Sequence, residues 1–136
     1  MRRLSLQVLL ACAAFAAATG AVPAAAAGPL APVTSNEAAV TVKVTPRTLE
    51  GPTWEFDVVF DTHSQELSDD LLKTAVLVAA DGAAVAPLEW KGAAAGGHHR
   101  AGVLRFKALD PAPASVVLRI TRPGESRPRV FQWKLR

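Results

Sequence analysis

A chain of 136 residues has room for one domain, and its single cysteine, Cys12, lies in the leader, so disulfide frameworks, thiolate metal sites and cysteine nucleophiles are excluded from the mature part. Met1 is the only methionine, which excludes a methionine-rich copper(I) site. The formal net charge of +3 is too small for a broad positive field, but it is unevenly spread: residues 28–90 hold three basic and ten acidic side chains, and residues 91–136 hold ten basic and two acidic. The ordinary reading of that split is that acidic early strands pair with basic late ones on one outer face. The sharper reading is a basic patch for anionic envelope components.

The chain opens with Arg2 and Arg3, an apolar run over residues 4–18, and the small-residue cleavage site Ala25-Ala26-Ala27. This pattern predicts a secretory signal peptide over residues 1–27 and a periplasmic or secreted destination. The run is too short, and too broken by Ser5 and Gln7, to be a good membrane span, so no transmembrane helix is expected in the mature chain. Leu9-Leu10-Ala11-Cys12 looks like a lipobox and gives lipid anchoring through Cys12 as the alternative, against which only eight h-region residues precede the cysteine. Residues 28–37, with Ala, Pro and Gly and no period, predict a disordered linker, leaving a folded domain over residues 38–136.

From Ala39 the period becomes two. Val40, Val42 and Val44 alternate with Thr41, Lys43 and Thr45 in a first strand ended by Pro46. Trp54, Phe56, Val58 and Phe60 alternate with Glu55, Asp57 and Asp61 in a second. Ser68 to Leu72 predicts a helical turn, with Ser68 as N-cap and Asp69 and Asp70 in its first turn. Residues 74–80 form a third strand, turned by Asp81-Gly82. Residues 84–90 return as a fourth that Pro87 confines to an edge or a bulge. Residues 101–107, the run from Val116 to Thr121 and the run from Phe131 to Leu135 complete the set, separated by turns at residues 91–97, 110–113 and 122–128. About seven short strands with frequent turn signals predict an all-β, immunoglobulin-like antiparallel β-sandwich, in which the three tryptophans serve packing.

Strand parity then becomes geometry. In an antiparallel sandwich, the connections after strands two, four and six lie at one end. His63 follows strand two, and His98 and His99 close the loop after strand four, so all three histidines of the chain meet at that end, with Asp61, Glu66, Asp69, Asp70, Arg122, Arg127 and Arg129. Three neutral imidazoles with a carboxylate suit zinc, or copper(II) in an open site, which makes His63, His98, His99 and Asp61 the candidate metal ligands. Adjacent residues on a regular strand face opposite ways, so His98 and His99 could share one ion only from irregular backbone, which Gly96-Gly97 could supply. The competing reading is structural: a histidine pair capping strand ends, with His63 donating to Asp61 or Glu66.

Enzymatic chemistry has little support. The chain has no Gly-x-Ser-x-Gly elbow, no His-Glu-x-x-His helix and no phosphate-cradling glycine loop, and neighbours such as His63 and Ser64 do not face one another. Export and the lack of aromatics among the basic residues also argue against nucleic acid as a partner.

The sequence words Trp54-Glu55-Phe56, Asp61-Thr62-His63-Ser64, Gly96-Gly97-His98-His99-Arg100 and Phe131-Gln132-Trp133 resemble those of small exported bacterial β-sandwich proteins, over roughly Val40 to Leu135. The resemblance implies export and a single domain; it brings no activity, cofactor or substrate with it. The expectation is a non-enzymatic binding protein that takes a metal ion through its histidine end. The alternative is an interaction module in which the same end, or a free sheet edge, recognises an envelope protein or an anionic polymer while the histidines stay structural.

Overall fold

Alternation translates directly into pleat. In the computed structural model, which describes residues 30–136, β2 (Val40–Thr48) and β3 (Thr53–Thr62) pair antiparallel and bury Val40, Val42 and Val44 beside Trp54, Phe56, Val58 and Phe60. β2 does not stop at Pro46. It continues to Thr48 through a register irregularity between Pro46 and Thr48, a local break of the kind expected where proline cannot donate to the ladder.

The remaining strands are β4 (Ala75–Ala79), β5 (Ala84–Val85), β6 (Pro87–Gly92), β7 (His99–Lys107), β8 (Ser115–Ile120) and β9 (Arg129–Lys134). The fourth predicted strand is thus divided. β5 pairs with β4 in one sheet, and after Ala86 the chain enters the other sheet as β6, the edge partner of β7. Pro87 sits where its chemistry allows, on an edge strand next to a register shift that leaves Leu88 unpaired and 61% exposed. Asp81-Gly82 makes the expected turn: Gly82 has φ 90° and the Ala83 N–H donates to Asp81 Oδ1 at 2.9 Å.

A further strand, β1 (Val33–Glu37), pairs antiparallel with β2, which corrects the prediction of a disordered linker over residues 28–37. Its own sequence carries little apolar alternation. It is held instead by the main-chain ladder to β2 and by distant donors: Arg129 donates to the Ser35 and Glu37 carbonyls, and Trp133 Nε1 donates to Ala31 O. The helical turn also lies later than expected. α1 (Leu71–Thr74) has Asp70 at its N-cap position with no side-chain capping bond and no acidic residue in its first turn, because Asp69 is committed to an ion pair elsewhere.

The two sheets have the orders β1-β2-β3-β7-β6 and β5-β4-β8-β9. Apart from β1, this is the A-B-E-D and C′-C-F-G arrangement of an immunoglobulin-like sandwich. Their inner faces form one core, where Phe56 packs edge-on to Phe106 at 5.8 Å and against Trp133 at 5.5 Å. Each fully buried aromatic or branched side chain contributes about 1.5–3 kcal/mol. Trp54 and Trp133 are buried and Trp90 is partly buried, as packing residues should be. Among the described residues, no helix is long and apolar enough to cross a membrane. The signal-peptide segment and Cys12 lie outside the described residues.

Candidate functional site

Parity places the histidines as expected. β3 and β6 run toward one end and β7 leaves from it, and the two loops there are laced together. The Thr62 N–H donates to His98 O (2.9 Å), the Leu67 N–H to Gly97 O (3.1 Å) and the Gly96 N–H to Leu67 O (2.8 Å). Gly96 and Gly97 have φ of 115° and 74°, left-handed values that glycine adopts without penalty. They form a pinned turn, not a free hinge.

At this end Asp61 and His99 are direct partners across β3 and β7, with His99 Nδ1 2.5 Å from Asp61 Oδ1. Both side chains are more than half exposed on the outer face. The carboxylate fixes the ring and leaves Nε2 without a partner among the described residues, an arrangement typical of an imidazole presented to a metal or a proton.

On its other side, Asp61 lines a cleft of about 540 Å³ together with Asn36, Ala39, Thr41, Thr62, His63 and Ser64. Thr41 is the register partner of Asp61, and Asn36 that of Thr41. Thr62 frames the cleft through one buried hydroxyl. It donates to Ala39 O (2.8 Å) and accepts from the Ser64 and Gln65 amides (3.2 and 3.1 Å), which sets the turn that carries His63. The β1–β2 turn closing the cleft is built from Ala38 and Ala39 at φ 48° and 60°, a left-handed conformation that costs non-glycine residues about 1–2 kcal/mol each.

The predicted ligands are therefore only partly brought together. Asp61 joins His99 directly and shares a cleft wall with His63, while His98, exposed just before β7, is engaged through its backbone carbonyl. Among the described residues, no group of three or more His, Asp or Glu side chains stands ready to hold a metal ion.

The charged residues gathered at this end have a different task. Asp69 is buried and receives Arg122 at two points, Nε to Oδ1 (3.0 Å) and Nη2 to Oδ2 (3.2 Å). Arg122 Nη1 also donates to Glu125 Oε2 (3.0 Å), and Arg129 grips both oxygens of Glu125 (2.8 and 3.0 Å). Burial pushes the Glu125 carboxyl up, but the hydrogen bonds and charges of Arg129 and Arg122 outweigh it and hold the group below the usual glutamate range. Arg100 donates to Asp69 O (2.6 Å) and Ala93 O (3.0 Å) and stacks over Trp90 at 5.3 Å. Three arginines and two carboxylates thus plug the end of the sandwich. Arg122 and Arg129, expected among the groups meeting an anionic partner, are buried, and of that trio Arg127 alone is exposed.

Part of the charge asymmetry resolves into pairing on the outer face. Arg105 of β7 lies 3.2 Å from Glu55 and 2.8 Å from Glu89, in agreement with early acids meeting late bases. Sequence reasoning missed Thr62 and Arg129 as framework residues. Their partners lie 23 and about 90 residues away, and the one available signal was a basic residue opening an otherwise alternating strand.

Comparison with protein-family models, with curated proteins and with solved structures finds no match.

Proposed function

We propose that this chain is an exported, non-enzymatic binding domain that takes up a zinc or copper(II) ion at its histidine end and holds it transiently. The observation that carries the reading is the position of Asp61, hydrogen-bonded to His99 on one side and lining the cleft of His63 on the other. His99 Nε2 is the first ligand, oriented by Asp61 as metal-bound imidazoles commonly are. His63 or His98, from the neighbouring turns at the same end, supplies the next. With fewer than three ligands preassembled among the described residues, coordination positions stay open, which suits an ion that is handed on rather than one that holds the fold together. Export, to the periplasm or beyond, is supported by the leader pattern of residues 1–27, with lipid attachment at Cys12 as the alternative form.

Calorimetry with zinc and electron paramagnetic resonance with copper(II) on the purified exported chain test this. The expected result is one ion per chain, nitrogen hyperfine coupling on copper, loss in His99→Ala, and affinity about 10–100-fold weaker in Asp61→Asn. Binding also weakens on acidification, because a protonated imidazole cannot ligate. Absence of binding at micromolar metal, or binding unchanged in the triple variant His63→Ala, His98→Ala, His99→Ala, overturns the proposal.

A further inference from the structure

The four-stranded sheet has an outer face that nothing among the described residues covers and that is chemically unlike the outer face of its partner. β4 reads Ala-Val-Leu-Val-Ala with no polar residue, so it is apolar on both sides. Leu77 fills the core, while Val76 and Val78 point the other way and are part-exposed. Such a strand suits a sheet buried on both faces; a sheet with one solvated face normally alternates apolar and polar. Register extends the patch. Val76, Arg119 and Val130 form one row across β4, β8 and β9, Val78, Val117 and Gln132 form the next, and Lys134 stands at the corner. Val130 is 53% exposed.

Charge gives the sign of what belongs there. The residues of β4, β5, β8 and β9 that face outward include no carboxylate, and among the described residues neither Arg119 nor Lys134 has an ion-pair partner. The five-stranded sheet differs in carrying carboxylates on its outer face: Arg47 and Arg105 are paired with Glu55, Asp57 and Glu89, and Asp61 with His99, beside exposed Lys43, Lys91 and Lys107. One outer face carries both signs of charge, and the other carries cations among valines with no carboxylate.

We infer that the outer face of the four-stranded sheet is a docking surface for an acidic protein, with the valines supplying apolar contact and Arg119 and Lys134 meeting its carboxylates. A second copy of this chain is a poor occupant, because a two-fold contact would bring together two identical cationic faces with no carboxylate on either. Polysaccharide and nucleic acid are poor occupants too, since the face offers no aromatic platform. Three strands about 4.8 Å apart and five residues of about 3.3 Å rise give a patch of roughly 250 Å². That is the centre of an interface whose rim must extend further, a standard one covering about 800 Å² per partner. The inference is independent of metal binding, which involves another face.

The test uses the full chain in the cells that make it, with a photo-crosslinking amino acid at Val117 or, as control, at Val59 on the outer face of the other sheet. The expected result is a discrete adduct from position 117 and none from 59, with acidic peptides of the partner at the crosslink. Its yield falls at least tenfold in Arg119→Glu/Lys134→Glu and in the separate surface variant Val130→Asp, while both keep the parent circular dichroism and cooperative unfolding. Overturning results are no discrete adduct from 117, equal adducts from 59, an adduct of twice the chain mass, or a yield unmoved in either folded variant. Cosedimentation of the purified exported chain with phosphatidylglycerol vesicles that Arg119→Glu/Lys134→Glu abolishes would assign the face to a membrane and overturn it as well.

Discussion

Asp69 and Arg122 meet at two points inside the closed end of the sandwich, with side chains 0% and 6% exposed, although 53 residues separate them in the chain. Geometry of this quality is what allows a buried ion pair to offset its desolvation. Substituting Asp69→Asn leaves Arg122 with Glu125 as its one remaining carboxylate and is expected to cost about 3 kcal/mol, the lower end for breaking a buried pair. Urea unfolding of the variant against the parent measures it, and a loss below about 1 kcal/mol would show the pair to be dispensable.

Glu125 couples the same cluster to pH. Its carboxyl is held below the ordinary glutamate value of 4.5 in the folded state, so the unfolded chain binds this proton more readily. Its contribution is therefore fully present above the ordinary value, declines as pH falls below it, and is gone beneath the lowered value. Parent and Glu125→Gln stabilities, compared from pH 7 to pH 3, should differ most at neutral pH and converge in acid.

Gly92 and Gly102 face each other across β6 and β7 under the Trp90 ring. A Cβ on Gly102 would lie 2.6 Å from Trp90 Cζ2 and 2.7 Å from Gly92 Cα and Lys91 O. Gly102→Ala is therefore expected to destabilise by about 1–3 kcal/mol and to displace Trp90. Thermal unfolding and near-ultraviolet circular dichroism read the two effects separately.

The β1–β2 turn offers a change in the opposite direction. Ala38 and Ala39 occupy left-handed backbone in a two-residue hairpin connection, where Asn-Gly is the favoured pair. Both alanine side chains are exposed, so little packing is lost on replacing them. Ala38→Asn/Ala39→Gly is expected to raise stability by about 1 kcal/mol, a melting-temperature gain of roughly 4–8 °C for a domain of this size.

Thr62 tests the frame of the cleft. Thr62→Val keeps the shape but removes the hydroxyl shared by Ala39 O and the Ser64 and Gln65 amides. A cost of about 1–3 kcal/mol is expected, with hydrogen exchange at Ser64 and Gln65 accelerated before the core amides.

What could be read from the chain follows from where each signal resides. Val40, Val42 and Val44, or Phe131 and Trp133, declare their strands through alternation alone, and Pro87 announces an edge and a bulge through its missing N–H. Parity then locates His63, His98 and His99 at one end, because it depends only on counting strands. Convergence is a different quantity: it depends on side-chain direction, which sends His99 to Asp61 and leaves His98 apart. Ser68 was a reasonable cap by local chemistry, but with Asp69 drawn inward by Arg122 the helical turn begins at Leu71. β1 was hidden because its stabilising partners are Arg129 and a backbone ladder, neither of which leaves a pattern in residues 33–37.

Arg129 donates to the carbonyls of Ser35, Glu37 and Val40, tying the final strand to the first hairpin of the described domain. Its side chain, together with the Glu125 it grips, spans about ninety residues of chain and fastens the seam between the sheets at β1 and β9. The order of assembly follows: the seam cannot be fastened until Arg129 is available, so a growing or threading chain stays open along that side until that residue has emerged. Closure over so long a separation also belongs to the slower, millisecond-to-second range of folding, in common with other sandwiches of non-local pairing.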